Sequence, residues 1–151
     1  MVAHKGTVVR HHFAHLAGAT ACETPLHSAA KWLIYQRVKD AIADGGSIPT
    51  RWRCHLCVCH HEIDLIENAD LVSPPETRMP RTRIVPDIWL SADGGKSSCA
   101  LVEIVVTHAP ENHTKRYADR RKIPLWEFQL FHTTELDNLP KHTQHLSLIH
   151  I

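Results

Sequence analysis

Two apolar, β-branched segments of the chain each carry a single carboxylate. Asp87 lies in the segment 83–90 and Glu103 lies in the segment 100–107, with a turn-like stretch rich in Gly, Ser and Asp at 91–98. This pattern predicts two strands of one β-hairpin. A lone carboxylate in a buried strand is unfavourable unless it is paired or holds a cation. Two acids that project from neighbouring strands toward one point therefore predict a hard-oxygen site for Mg2+ or Mn2+.

A structural interpretation of the same two acids competes with the metal site. In this interpretation Asp87 belongs to a turn after Pro86, and Glu103 pairs with a nearby arginine. The two interpretations differ in geometry, because a shared cation requires carboxylates within roughly 4 to 6 Å of each other.

Four sequence blocks follow one another along the chain. They are His12-Phe13-Ala14-His15, the segment 22–31, the stretch from Arg83 to Asp87 with its Pro-Asp pair, and the acid of Glu103 inside an apolar strand. Together they resemble the competence-protein CoiA-like branch of the PD-(D/E)xK nuclease superfamily, over roughly residues 4 to 131. The resemblance implies a restriction-endonuclease-like α/β fold, with a mixed sheet flanked by helices, and hydrolysis of phosphodiester bonds in DNA.

The resemblance also implies roles for individual residues. Asp87, Glu103 and the backbone carbonyl of Ile104 would hold Mg2+ or Mn2+, and Glu23 corresponds to a glutamate beside the metal ligands in many of these nucleases. The bound ion polarises the scissile phosphate and lowers the pKa of a bound water. The third motif residue, normally a lysine two places after the second acid, is Val105 in this chain. The positive charge must then come from another element.

Lys31 is the preferred substitute for the missing lysine. Glu23, His27 and Lys31 are spaced four residues apart and line one stripe of a predicted helix. Catalysis requires the ammonium at the right place in the site, whatever its position in the sequence. A lysine from another element can therefore take the role of the motif lysine. His27 or His108 is an alternative, as a proton-transfer partner. A solvated ladder of Glu and Lys on the helix surface is the plain interpretation of the same stripe.

Three of the five cysteines crowd into the segment 54–59. An odd cysteine count and a Cys-x-x-Cys turn at Cys54 and Cys57 favour a zinc-knuckle-like site in a reducing compartment over a disulfide framework. Cys54 and Cys57 are the predicted zinc ligands, and an unmetallated turn is the alternative. The other two ligands stay open among Cys59, His60, His61, Cys22 and the histidines at 11, 12 and 15.

Positive charge is concentrated locally. The whole chain has 17 Lys and Arg against 16 Asp and Glu, so its overall charge does not indicate a nucleic-acid partner. The predicted helix at 111–121 is strongly basic, and Arg83 precedes the Asp87 strand. The predicted contacts to the DNA backbone are Arg83, Lys115, Arg116, Arg120 and Arg121. An ordinary solvated helix surface is the alternative.

The elements that position these residues follow from periodicity. Thr24 and Pro25 start a helix in which apolar residues recur at steps of three and four, and which ends near Gly45-Gly46 after about five turns. Residues 67–82 form a connector of irregular or edge-strand character. Glu76 in this connector could face the site, but a solvated position is expected. The basic helix and a last strand at 123–131 complete a strand-helix-strand crossover, so the sheet is expected to be mixed.

The length of 151 residues suits one domain with a substantial core. We expect a His-rich N-terminal segment at 1–22, a nuclease-like core at 23–145 with a Cys-rich insertion at about 51–61, and a tail at 146–151 that derives from a sequencing adapter. No apolar run approaches the roughly 18 residues that span a bilayer, and no signal-peptide core is visible. The protein is therefore expected to be soluble and cytoplasmic.

Two functions remain in competition at this point. The first is a metal-dependent nuclease that cuts DNA, with a role in DNA uptake or processing suggested by the resemblance. The second is a catalytically inactive nuclease fold, stabilised by zinc, that binds DNA. A small interaction protein without a ligand is a third interpretation. The form of the DNA, single- or double-stranded, and the oligomeric state are not set by the sequence.

Overall fold

The elements of the fold are known for most of the chain. The structure is a computed structural model, and it describes residues 2–4, 12–14, 24–53, 59–106 and 112–139. The elements in these ranges are β1 (Val2–His4), β2 (His12–Ala14), α1 (Pro25–Ala43), β3 (Pro49–Arg53), β4 (His60–Asp64), β5 (Leu71–Val72), β6 (Ile88–Ala92), β7 (Ser97–Val105), α2 (Asn112–Arg121), β8 (Leu125–Gln129) and a 3-10 helix (Thr133–Asn138).

A mixed sheet of four strands organises this part of the chain. Its strand order is β5-β6-β7-β8. The first two pairs are antiparallel, whereas β7 and β8 are parallel and are connected through α2. Two parallel strands run in the same direction, so the chain must return from the end of the first strand to the start of the second. A tight turn is too short for this, and a crossover connection such as a helix is needed. The predicted mixed α/β architecture is confirmed at this level.

The β6–β7 hairpin begins and turns at different residues from those predicted. β6 starts at Ile88, so residues 83–87 lie before the strand. Pro86 contributes to this difference, because proline has no amide hydrogen for a strand ladder. The turn is confined to 93–96, where Asp93 has a φ of 54° and Gly94 a φ of 64°. Glycine adopts positive φ at little cost, which explains the Gly-rich sequence at this point.

Helix α1 begins and ends where its sequence signals lie. Thr24 is the N-cap, and its Oγ1 accepts a hydrogen bond from the His27 amide at 3.1 Å. The helix ends at Ala43, ahead of Gly45 with its φ of 62°. None of the helices in the described part of the chain combines the length and apolarity that crossing a bilayer requires.

The sheet separates two apolar layers. The first lies between the sheet and α1, and the second lies between the sheet and α2. The first includes Ala30, Ile34, Val38, Ile88, Leu90, Val102, Ile104 and Phe128. The second includes Met79, Trp89, Leu101, Ala118, Ile123 and Leu125. Successive residues of β6 and β7 alternate between the layers, as the two-residue period of a strand requires.

A separate hairpin, β3–β4, is inserted between α1 and β5. Its register pairs Arg53 with His60, so the segment 54–59 connects the two arms. Trp52 is buried and stacks on His61, with ring centroids 4.7 Å apart. The predicted Cys-rich insertion corresponds to the end of this hairpin, and its residues 54–58 lie outside the described ranges.

Two phenylalanines near the end of β8 test this arrangement of the core. Phe128 has no exposed surface, whereas Phe131 is 54% exposed. We expect Phe128→Ala to lower the free energy of unfolding by about 3 to 5 kcal/mol, because it removes buried apolar surface and leaves a cavity. Phe131→Ala is the matched control and should change it by less than about 0.5 kcal/mol. Urea denaturation measures both, and equal losses would contradict the described packing.

Candidate functional site

The carboxylate of Asp87 is the centre of a polar cluster at one end of the sheet. Asp87 directly precedes β6 and is only 8% exposed. The backbone amide of Ile104 donates a hydrogen bond to its Oδ2 at 2.7 Å. The same oxygen lies 3.0 Å from Nε2 of His27 on α1. The acid is therefore fixed from two sides, by the backbone of β7 and by a helix side chain.

Lys31 brings a buried ammonium to this carboxylate. Lys31 is only 1% exposed, although its side chain carries a charge. It lies one helical turn after His27, on the same stripe of α1. Its Nζ lies 2.6 Å from Oε1 of Glu76 and 3.7 Å from Oδ1 of Asp87. A buried ammonium is unfavourable without anionic partners, and these two carboxylates supply them.

Glu103 occupies the neighbouring position on β7. The β6–β7 register ends with Ile88 opposite Val102, so Asp87 lies just before the paired strands and Glu103 lies one residue beyond Val102 on β7. Glu103 is half-buried and lies on the same face of β7 as Leu101, which belongs to the α2 layer. The carboxylate of Asp87, in contrast, contacts the side chains of α1.

A further acid, Glu127, continues the row across the parallel pair. It lies in register with Glu103 and is 9% exposed. Its Oε1 lies 2.9 Å from Nζ of Lys115 on α2. The predicted DNA contact Lys115 therefore forms an ion pair within the chain. Glu127 was not predicted as a site residue, although an acid inside an apolar strand is the same signal that singled out Asp87 and Glu103.

The oxygen donors at this end of the sheet fit a divalent cation by their chemistry. Mg2+ is usually bound through one or two carboxylates, with waters and substrate phosphates as its other ligands. Oδ2 of Asp87 accepts hydrogen bonds, and Oδ1 lies 3.7 Å from Nζ of Lys31, which is an ion-pair distance. Among the described residues, no group of three or more His, Cys, Asp and Glu side chains is arranged around one point as metal ligands. In the part of the chain that the structure describes, the predicted ligands Asp87 and Glu103 would need water to complete the coordination of Mg2+ or Mn2+.

The predicted site residues divide into three groups. Asp87, Lys31 and His27 are in direct contact, and Glu103 lies at the neighbouring position. Glu23, Cys54, Cys57 and His108 lie outside the described ranges. Arg83, Arg116, Arg120 and Arg121 are exposed, and Nε of Arg120 donates to the carbonyl of Arg116 at 3.3 Å.

Glu76 is solvated, as expected, and it also contacts the site. Its side chain is 60% exposed, yet it forms the shortest contact of the cluster with Lys31. The sequence places Glu76 in an irregular connector and gives no periodicity that would orient it. Its backbone φ of 57° is rare for a residue other than glycine, and only the folded chain shows it.

No protein-family model, no curated protein and no solved structure matches this chain.

The Lys31–Asp87 contact should contribute to the free energy of unfolding. We expect Asp87→Ala to lower the free energy of unfolding by about 3 kcal/mol, the low end for breaking a buried ion pair, because Glu76 still faces Lys31. The amide of Ile104 also loses its acceptor. Asp87→Asn should cost less, since it keeps an oxygen for that amide.

A double-mutant cycle separates the charge contact from packing. Lys31→Met combined with Asp87→Asn should be less destabilising than the sum of the single changes, by about 1 kcal/mol or more. Urea denaturation of the four proteins at one pH measures this difference. Simple additivity would show that the two charges do not interact.

Proposed function

We propose that this protein is a metal-dependent nuclease that hydrolyses phosphodiester bonds in DNA, built on a restriction-endonuclease-like core similar to the CoiA-like branch of the PD-(D/E)xK superfamily. The observation that carries this proposal is the buried ammonium of Lys31, 3.7 Å from Asp87. The motif lysine is absent at Val105, and Lys31 supplies a cation to the same carboxylate from a different element.

The architecture supports the proposal. A mixed sheet with α1 packed on one face and α2 on the other is the arrangement that the resemblance implies. Asp87 directly precedes β6, and Glu103 lies on β7 one residue beyond Val102, the partner of Ile88. The β3–β4 hairpin is an insertion outside this sheet.

The proposed mechanism assigns one task to each side chain. Asp87 and Glu103 would hold the divalent ion, which when bound would polarise the scissile phosphate and lower the pKa of a water. His27 and the Ile104 amide fix the orientation of Asp87. Lys31 places a positive charge where negative charge develops on the phosphate during attack by water, and such preorganised charge is worth most in a water-excluded site.

The proposed DNA contacts are the exposed arginines. Arg116, Arg120 and Arg121 lie on α2, and Arg83 lies in the segment that leads to Asp87. Guanidinium groups bind phosphate oxygens in a bidentate manner, so exposed arginines suit contact with a DNA backbone. Lys115 contributes less to such a surface, because it is paired with Glu127.

The second candidate function is a DNA-binding module that does not cut. The β3–β4 hairpin favours it, because the Cys-x-x-Cys segment connects its two paired arms and Trp52 stacks on His61 one residue pair before this connection. Zinc bound by Cys54 and Cys57 would close such a junction, since structural zinc sites contribute directly to folding. Val105 at the motif position favours the same candidate.

A cleavage assay decides between the two candidates. With Mg2+ or Mn2+ on single- and double-stranded DNA, we expect cleavage by the unchanged protein. Asp87→Asn, Glu103→Gln and Lys31→Met should each lower kcat by about 10² to 10³, because each removes a charge that stabilises the transition state. A chelator should abolish cleavage in the unchanged protein.

Glu67→Gln is the matched control for this assay. Glu67 is exposed, in a turn near the opposite end of β6, where the Asp70 amide donates to the Ser91 carbonyl. It should cut as fast as the unchanged protein. If no ion supports cleavage, and if the protein contains zinc that Cys54→Ser with Cys57→Ser removes while DNA binding falls with added salt, the non-cutting module is correct.

A further inference from the structure

Helix α1 carries a large aromatic side chain that the fold leaves at its surface. Trp32 is 56% exposed, the highest value among the large apolar side chains of the described ranges. Tyr35 and Lys39 follow it at steps of three and four residues, which brings the three side chains to one side of the helix. We call these three residues the aromatic stripe.

The members of the aromatic stripe are in contact with one another. The rings of Trp32 and Tyr35 meet edge to face, with centroids 5.6 Å apart and ring planes at 84°. This is a preferred geometry for aromatic pairs. The ammonium of Lys39 lies 5.8 Å from the centroid of the Tyr35 ring, at cation–π distance. Tyr35 also packs against the apolar layer between α1 and the sheet, so the stripe is anchored to the core at its centre.

The aromatic stripe carries a positive charge. Within the ranges that the structure describes, Lys39 forms no ion pair with another side chain. The acid next to it, Asp40, accepts a hydrogen bond from Nε2 of Gln36 at 2.7 Å. The stripe therefore combines flat apolar surface with an ammonium whose charge a ligand can neutralise.

This combination fits a nucleotide better than a protein surface. A base is flat and stacks on an aromatic ring, and the phosphate beside it is an anion that suits a lysine. A stable protein interface buries about 800 Å² on each partner, which two aromatic rings do not supply. In a duplex, both faces of each internal base are covered by its neighbours, so only an unpaired base can stack on a protein ring.

The aromatic stripe borders the candidate site. Trp32 directly follows Lys31 in α1, and Tyr35 lies one helical turn after Lys31. His27 and Lys31, which contact Asp87, therefore lie on the adjacent side of the same helix. A strand that stacks on Trp32 would pass close to the residues of the candidate site.

We propose that the aromatic stripe binds an unpaired segment of DNA, with a base stacked on Trp32 and a phosphate on the ammonium of Lys39. This inference rests on the proposed function, in which DNA is the ligand, and deepens it by naming the form of the DNA. The DNA is a single strand or a duplex with an unpaired segment. The contact involves no metal ion, so it can be measured in the presence of a chelator.

Tryptophan emission and the fluorescence anisotropy of a labelled oligothymidylate test the stacked base. An unlabelled oligothymidylate should quench the emission of Trp32, since the other three tryptophans of the chain, Trp52, Trp89 and Trp126, are buried. We expect Trp32→Ala to weaken binding of the labelled strand by about 5-fold or more, the loss of one stacked base. Trp32→Phe, which keeps a flat ring, should stay within about 2-fold of the unchanged protein.

Phe131→Ala is the matched control for the stacked base. It removes a ring of similar exposure from the segment after β8 and should leave the affinity unchanged.

Lys39→Gln tests the phosphate contact. The slope of log affinity against log salt concentration should become shallower by about 0.7, the value for one neutralised phosphate of a single strand. Lys96→Gln removes an exposed lysine from the turn of the β6–β7 hairpin and should keep the slope.

A blunt duplex of the same length separates stacking from general attraction to DNA. Trp32→Ala should bind this duplex as the unchanged protein does. An equal loss for duplex and single strand, or a loss for neither, overturns the inference. Trp32 emission that changes with protein concentration in the absence of DNA would assign the stripe to a contact between copies of the chain, and would also overturn it. Unfolding curves establish that the variants are folded.

Cleavage of the same DNA separates this inference from the nuclease function. If unpaired DNA binds through Trp32 in the presence of a chelator, but no divalent ion supports cleavage, the inference stands and the nuclease function fails. If the protein cuts DNA, and Trp32→Ala binds and cuts single and double strands as the unchanged protein does, the nuclease function stands and the inference fails.

Discussion

The burial of one ammonium group governs the arrangement around the candidate site. Lys31 lies in the same helical stripe as Ala30, Ile34 and Val38, which are fully buried against the sheet. An ammonium in such a layer must be matched by negative charge, since its desolvation is costly. α1, the connector and the segment that leads into β6 meet at this point, where Glu76 and Asp87 face the ammonium.

The burial of an ion pair is by itself weak evidence that the pair stabilises the fold. Apolar residues of similar volume often stabilise a core as well or better. Lys31 is nevertheless surrounded by more than one charged or polar group, because Glu76, Asp87 and His27 converge there from separate parts of the chain. Such convergence of titratable groups is typical of functional sites, and for this reason we favour a catalytic role for the cluster over a purely structural one.

The site depends on both faces of the sheet. His27 and Lys31 reach Asp87 from α1, whereas Glu103 lies on the same face of β7 as Leu101, on the side of α2. Asp87 lies just ahead of β6, and its Oδ2 accepts a hydrogen bond from the Ile104 amide of β7. A cation shared by Asp87 and Glu103 would thus depend on the register of the hairpin, and a slip of one residue would move every side chain to the other face.

The sequence by itself determined the elements whose signals are local. The N-cap at Thr24, the apolar stripe of α1 and the crossover that makes the sheet mixed all follow from spacing and composition. The sequence also identified Asp87 and Lys31 as candidate site residues, but it left open whether Lys31 faces the solvent. Tertiary structure alone decided that Lys31 lies against Asp87 and Glu76, because Glu76 is 45 residues away in an irregular connector. Sequence periodicity cannot predict a contact between residues so far apart in the chain. The packing of α1 on the sheet determines this contact.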